Sequence, residues 1–147
     1  MRYLGFPNYL RAFGLFHGAR LFAAVEPQFG RNDVLRVAMP SPFHALYLRN
    51  TVGDKSIFWQ VFVKREYEFS GFRQAKTVDA AYHRALKESR PPLIIDAGGN
   101  IGLAAIWFAT KYPKALVYSI EPDPSNFEML TRNVKPYANV VPLAGAV

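Results

Sequence analysis

One stretch constrains the fold more than any other: Leu93-Ile94-Ile95-Asp96-Ala97-Gly98-Gly99-Asn100-Ile101-Gly102. Leu93 to Ile95 is short and wholly apolar, which predicts a parallel strand buried on both faces. The turn from Asp96 to Gly102 is rich in glycine, the residue that lets a backbone turn tightly and approach a ligand closely. Ile101, Ala104, Ala105 and Phe108 then recur at helical spacing, and Tyr112-Pro113 closes that helix. A buried strand running through a tight turn into a helix is the opening of a βαβ unit.

The pattern repeats downstream. Ala115 to Ile120 predicts a second strand. Asp123 and Pro124 stand in the preferred order for a helix start, cap then proline at the first position. Phe127, Leu130 and Val134 form the apolar stripe of that helix, and Asn139 to Leu143 predicts a third strand. Strand, helix, strand, helix, strand is a βαβαβ unit, and right-handed crossovers make its sheet parallel.

In such a unit ligands bind at the carboxyl ends of the strands. Two acids are expected there, Asp96 after the first strand and Glu121 after the second. A dinucleotide site would want Gly-x-Gly-x-x-Gly, with the pyrophosphate at the helix N-terminus. The turn breaks that pattern, because Asn100 lies two positions after Gly98 and Ile101 two after Gly99. Charge weighs more heavily: Asp96 would repel a pyrophosphate, the more so in a dry site. S-adenosylmethionine has no phosphate, and its sulfonium and ammonium tolerate a nearby carboxylate. Glu121 has the two oxygens needed to accept from both ribose hydroxyls. An acid at this position also occurs in dinucleotide binders, so the combination of Asp96, Gly98 and Gly102 discriminates, not Glu121 alone. The candidate cofactor-binding residues are Asp96, Gly98, Gly99, Asn100, Gly102 and Glu121, with Asn100 also read as a turn-shaping residue. No catalytic residue is assigned, and His17, His44 and His83 lack the spacing of a metal site.

These two segments, Leu93 to Gly102 and Ser119-Ile120-Glu121-Pro122-Asp123-Pro124-Ser125-Asn126-Phe127, resemble motifs one and two of class I methyltransferases. More narrowly they resemble the FkbM family, in which a D-x-G-x-N-x-G turn precedes an E-P-x-P-x-N-F segment. Tyr47 to Asp54, with Phe58, Val61, Phe62 and Glu66-Tyr67, is similar to the stretch that precedes the core in that family. The resemblance covers roughly residues 43–147. It implies a Rossmann-like class I methyltransferase fold, an α/β parallel sheet with flanking helices. It also implies S-adenosylmethionine as cofactor and O-methylation of sugar or natural-product hydroxyls, with a small-molecule or glycan acceptor. The family's sheet continues past a third strand, so the expectation here is a fragment truncated after the third core strand. The adenine wall, most of the acceptor pocket and the general base are expected beyond Val147.

Residues 1–90 are predicted to form a mixed helix and strand extension, with Pro91-Pro92 as the boundary to the half-domain 91–147. An amphipathic helix is expected over Asn8 to Val25, then a turn-rich link from Glu26 to Asp33. Val34 to Ala38 and Phe43 to Arg49 predict strands, the second with His44, Leu46 and Leu48 on one face. Asp54 is read as the cap of a helix over Lys55 to Val63, ion-paired with Arg49, with a substrate-facing or cofactor-lid role for the two as the alternative that the resemblance implies. Thr77 is read as the cap of another, with Val78, Ala81, Tyr82 and Ala85 along one side. Tyr67 could donate to a ligand carboxylate, but a buried tyrosine with a satisfied hydroxyl is the commoner case.

Charge divides the chain in the same way. Residues 1–90 hold 14 of 18 Lys and Arg and 7 of 11 Asp and Glu, hence the whole net +7. The basic residues are scattered singly, with no base-stacking motif, so nucleic acid is not the expected partner. The first helix carries Phe13, Phe16 and Phe22 beside basic residues; packing on the chain's own core is expected, with a peripheral membrane contact as the alternative. Arg11, His17 and Arg20 interrupt it too often for an export signal. Cysteine is absent, which permits a reducing, cytoplasmic setting. Three rival classes remain: a nucleotide-dependent oxidoreductase, a non-catalytic binding module of the same fold, and a basic nucleic-acid methyltransferase or binder, which the net charge permits.

Overall fold

The computed structural model describes residues 5–26 and 33–147. Most of the predicted link, Pro27 to Asn32, lies outside them. The chain forms two compact units, Met1–Arg65 and Glu66–Val147. Pro91-Pro92 falls within the second, where the chain enters its sheet.

In the first unit, α1 spans Phe6–Val25, but it is not the continuous amphipathic helix the sequence predicts. Gly14 has φ 75° and ψ 174°, a conformation without steric cost only for glycine. The chain reverses there. In a straight helix Phe6 and Phe22 would lie about 24 Å apart; their rings are 5.0 Å apart, edge to face. The second arm packs through Gly18, where a Cβ would sit 2.5 Å from the Tyr9 carbonyl oxygen and 2.8 Å from the Leu10 Cα. Tyr9 is wholly buried, and its hydroxyl donates to Glu26 at 2.9 Å, closing the hairpin at its open end.

Strands β1 (Val34–Val37) and β2 (Leu46–Arg49) pair antiparallel, Val34 opposite Arg49. Leu46 and Leu48 point inward as the alternation requires. The strand is shorter than predicted, because the Pro40 carbonyl accepts from the Phe43 amide and that turn takes up the residues before it. Helix α2 (Val52–Phe58) runs on as a π-helical turn, Trp59–Val63. Its cap is Thr51, whose hydroxyl accepts from the Asp54 amide at 3.2 Å. Asp54 is therefore not the cap. It sits in the first turn, 3% exposed, and accepts the Arg49 guanidinium at 2.8 Å and the Arg49 amide at 2.8 Å. The expected ion pair is present, and it ties the end of β2 to α2. Tyr9, Phe58 and Phe62 form the aromatic centre of this unit, with Tyr9 stacked on Phe58.

In the second unit, α3 (Ala75–Lys87) starts after Gln74 with no side-chain cap, so Thr77 lies inside the helix rather than capping it. Of its predicted apolar stripe, Val78 and Ala81 are exposed and Tyr82 and Ala85 half-buried. The helix is fastened through Tyr82, whose ring packs tilted against Tyr112 at 5.0 Å and whose hydroxyl accepts from the Lys114 amide, and through Asp79, which accepts from the Tyr112 hydroxyl at 3.1 Å.

Strands β3 (Leu93–Ala97), β4 (Leu116–Glu121) and β5 (Val140–Ala144) form a parallel sheet in the order β3-β4-β5. Helices α4 (Leu103–Lys111) and α5 (Pro124–Val134) connect them. This is the Rossmann-like α/β arrangement that the sequence predicts. Each strand adds on the same side of the last, so right-handed crossovers place both helices on one face. Val117, Ser119 and Glu121 are buried beneath them, and register puts Ile94 and Asp96 on the same face. The opposite face carries Leu93 and Ile95, 59% and 54% exposed. The expectation that β3 is buried on both faces therefore fails: among the described residues, helices cover one face only. Helix α4 has apolar residues nearly all round, with Leu103 to Trp107 buried without a break. Helix α5 begins as predicted, with Asp123 accepting from the Asn126 amide at 2.8 Å and Pro124 at the first position.

Candidate functional site

The six candidate residues lie at the carboxyl ends of β3 and β4 and in the turn between β3 and α4. That turn is built from backbone contacts. The Gly98 and Gly99 amides both donate to the Ile120 carbonyl, at 2.9 and 2.8 Å, and the Gly102 amide donates to the Gly99 carbonyl at 2.8 Å. Asn100 takes a left-handed conformation, φ 48°, which asparagine tolerates better than most residues. Its amide donates to Glu121 Oε2 at 2.7 Å. The turn-shaping reading of Asn100 is thus visible in the backbone.

The glycines do three different jobs. Gly98 needs its positive φ of 82°, and a Cβ there would meet nothing within 4 Å. Gly99 is required by space: a Cβ would lie 2.1 Å from Ser119 Oγ and 2.7 Å from Leu130 Cδ1. Gly102 combines both demands: its φ is 85°, and it faces α5, where a Cβ would come within 3.1 Å of Val134 Cγ1. So two of the three permit close approach to the protein's own core, and Gly98 is the one open to a ligand.

Glu121 is 6% exposed. Besides the Asn100 amide it accepts the Asp123 amide at 3.0 Å and, at a longer 3.4 Å, the Asn126 side-chain amide. A carboxylate offers about four lone-pair sites, so these three donors leave room for one more bond, and the long Asn126 contact is the weakest to displace. Glu121 therefore both clamps the turn and retains capacity for a hydroxyl donor.

Asp96 is half-buried and accepts from the Ser119 hydroxyl at 2.7 Å. Burial raises its pKa above the ordinary carboxylate value; the Ser119 hydrogen bond pulls it down and the Glu121 charge adds to the rise. The folded state thus binds a proton at Asp96 more tightly than the unfolded chain. The resulting penalty is absent below the ordinary carboxylate range, grows as pH rises through it, and is complete above the raised value. Asp96→Asn is expected to raise the melting temperature at neutral pH, with the gain vanishing in acid. Thermal melts from pH 3 to 8 check this; a gain independent of pH would contradict it. A carboxylate perturbed by burial at a strand end is a candidate functional group.

Two residues that sequence reasoning passed over belong here. Ser119 is fully buried between Asp96 and Gly99. Its signal was a polar residue at an inward-facing position of an apolar strand. Asn133, also fully buried, donates to the Ile101 carbonyl at 2.9 Å and pins the end of the turn from α5. Tyr67 is not the buried tyrosine expected of it. It is 39% exposed, packs edge-on against Phe108 at 5.5 Å, and has its pKa raised by burial and then by the Asp96 charge.

An open cavity of about 280 Å³ lies at the same sheet end, lined by Ala97, Gly98, Ile120, Pro122 and residues 145–147. Of the six candidates, Gly98 lines it. Asp96 and Glu121 lie on the helix-covered side of the strands, the cavity on the other, and Gly98 joins the two. Among the described residues no group of three or more His, Cys, Asp or Glu is placed to hold a metal ion.

With this geometry in view, comparisons with known proteins point one way. The chain is 44% identical over 43 residues to the methyltransferase sdnD of Sordaria araneosa, and 40% identical over 82 residues to methyltransferase 1 of Beauveria bassiana (strain ARSEF 2860). The chain is similar to methyltransferases. The matches cover 29% and 56% of this chain, and 17% and 32% of those two proteins. No family model matches. Among solved structures, M. jannaschii TYW2 in complex with AdoMet aligns over 80% of this chain and 45% of that one, at 20% identity and a TM-score of 0.45.

Proposed function

We propose that the β3-to-β5 half binds S-adenosylmethionine, and that the protein carrying it is a methyltransferase of the FkbM type acting on a hydroxyl of a sugar or natural product. On this reading residues 91–147 are the cofactor half of the domain and residues 1–90 its basic extension. The single observation that carries it is the Asp96–Gly98–Glu121 arrangement: a desolvated carboxylate, an open glycine and a second buried carboxylate at one sheet end. The similarity to two proteins named methyltransferases supports it. The lack of cysteine is consistent with a cytoplasmic setting.

The residues fit the cofactor's chemistry. Asp96 would balance its positive methionine end, the Gly98 backbone would let it approach the strand end, and Glu121 would accept from the ribose. When bound, the cofactor supplies an electrophilic methyl group on a sulfonium, which leaves as a neutral thioether. The task left to the chain is alignment, and alignment of an oxygen behind the methyl carbon supplies many orders of magnitude in rate. The acceptor hydroxyl must also lose its proton to a base, and no side chain described here is assigned that role.

Isothermal titration with S-adenosylmethionine tests the reading, with NAD titrated beside it. Binding of the first alone is expected. Glu121→Ala is expected to weaken it about tenfold or more, since it removes a charge-assisted hydrogen bond and also releases the Asn100 and Asp123 amides. Tighter binding of NAD, or an affinity that Glu121→Ala leaves unchanged, would overturn it.

A further inference from the structure

The hairpin of α1 has an apex, and the apex exposes two adjacent large apolar side chains. Leu15 is 66% exposed and Phe16 86%. Both follow directly on Gly14, where the chain reverses, so they stand at the tip rather than along a packed face. Arg11 and Arg20 flank the tip, one on each arm, and both are exposed, as is His17. The sequence has no Asp or Glu before Glu26. An apolar tip with exposed basic residues on both of its arms matches one partner in both polarity and charge, an anionic lipid surface.

We propose that the α1 hairpin is a membrane-surface anchor, with Leu15 and Phe16 entering the acyl boundary and Arg11 and Arg20 on lipid phosphates. The hairpin suits insertion of a tip and not a span. No helix among the described residues is long and apolar enough to cross a membrane, and α1 is halved at Gly14. Its two arms are braced against each other by Gly18 packing on Tyr9 and Leu10 and by the Tyr9–Glu26 hydrogen bond. The tip is thus presented by a rigid element, which lowers the ordering cost of docking. The basic excess of the first unit, 9 Lys and Arg against 3 Asp and Glu over residues 1–65, adds long-range attraction to an anionic surface. A docked tip would hold the protein at a lipid interface whatever reaction the second unit serves.

The test is co-sedimentation of the full chain with vesicles of phosphatidylcholine, alone or with phosphatidylglycerol. Binding to the anionic vesicles only is expected. L15S/F16S is expected to weaken it about tenfold or more, from the lost apolar insertion. Arg11→Glu or Arg20→Glu should weaken it about fivefold or more. Both apex side chains are exposed, so the double variant should melt like the parent. A second readout leaves the apex intact: the chain has no cysteine, so His17→Cys takes one environment-sensitive dye, whose emission should shift blue on anionic vesicles. No sedimentation with anionic vesicles would overturn the proposal. So would binding that L15S/F16S leaves unchanged, which would mark adsorption of a basic protein, and so would a salt-sensitive complex with nucleic acid that competes with the vesicles. Loss of self-association in L15S/F16S, with no vesicle binding in the parent, would make the apex a contact between copies and overturn it as well.

Discussion

Gly18→Ala is expected to destabilise the first unit by about 3 kcal/mol, at the upper end of overpacking penalties, and to lower its melting temperature by about 10 °C or more. The reason lies in what the new methyl group would meet. Its nearest neighbours are the Tyr9 carbonyl oxygen at 2.5 Å, the Tyr9 carbonyl carbon at 2.7 Å and the Leu10 Cα at 2.8 Å. All three are backbone atoms inside the first arm of the hairpin, so no rotamer change relieves the contact. The arms must separate. That would pull Tyr9, wholly buried and hydrogen-bonded to Glu26, away from Phe58. In a continuous helix Gly18→Ala would instead be favourable by nearly 1 kcal/mol, since alanine is the better helix former. The sign of the change in circular-dichroism melts therefore decides between the hairpin and a straight helix.

That contrast shows where the sequence is silent. Helical spacing between Asn8 and Val25 predicts helix, and helix is present on both sides of Gly14. Nothing in the periodicity tells a glycine that is tolerated in a helix from one that reverses it, because the difference lies in contacts between residues 16 apart, such as Phe6 with Phe22. The βαβαβ half was legible for the opposite reason. Its signals are local: an apolar run, a glycine turn, Asp123-Pro124 at a helix start, and each is satisfied within a few residues. The exposure of Leu93 and Ile95 was not legible, since an apolar run specifies a strand and not what covers its faces. Thr51 displaced Asp54 as the α2 cap because Arg49 claims the Asp54 carboxylate through both its guanidinium and its amide. Residue type alone assigns the Asp54 carboxylate both roles, and the bond from the Arg49 amide that tips the balance is not visible in it.

At the candidate site the residue types were legible, but the division of labour among them was not. Glycines were read as making room for a ligand, yet Gly99 and Gly102 make room for Ser119, Leu130 and Val134. Glu121 was read as a ligand acid, yet three of the protein's own donors already converge on it. A turn that must hold a cofactor has first to be held itself. The residues that do the holding, Ser119 and Asn133, are buried polar groups at positions where an apolar residue would satisfy the pattern. A buried hydroxyl or amide costs stability unless it is hydrogen-bonded, and each of these two is bonded to the turn or to its acid.

Gly99→Ala puts that division to the test, and its expected cost is about 2 to 3 kcal/mol. The added Cβ would lie 2.1 Å from Ser119 Oγ and 2.7 Å from Leu130 Cδ1. Ser119 can escape by turning away, but it then releases Asp96, whose carboxylate loses the hydrogen bond that favours its charge. Leu130 is fully buried and has little room to yield. The same substitution should therefore lower the melting temperature and weaken S-adenosylmethionine binding together, because the turn and the acid move as one. Gly99→Ala/Ser119→Ala should cost less than the two single changes summed, since removing the hydroxyl removes the closer of the two clashes. The Leu130 contact persists, so the rescue is partial. If Gly99 were instead needed for a cofactor to approach, Gly99→Ala would abolish binding and leave the melting temperature unchanged. Melting and titration of the three variants separate these outcomes. Gly98→Ala is the internal contrast: its added methyl group meets nothing within 4 Å, and its cost is the strain of a positive φ, about 1 kcal/mol.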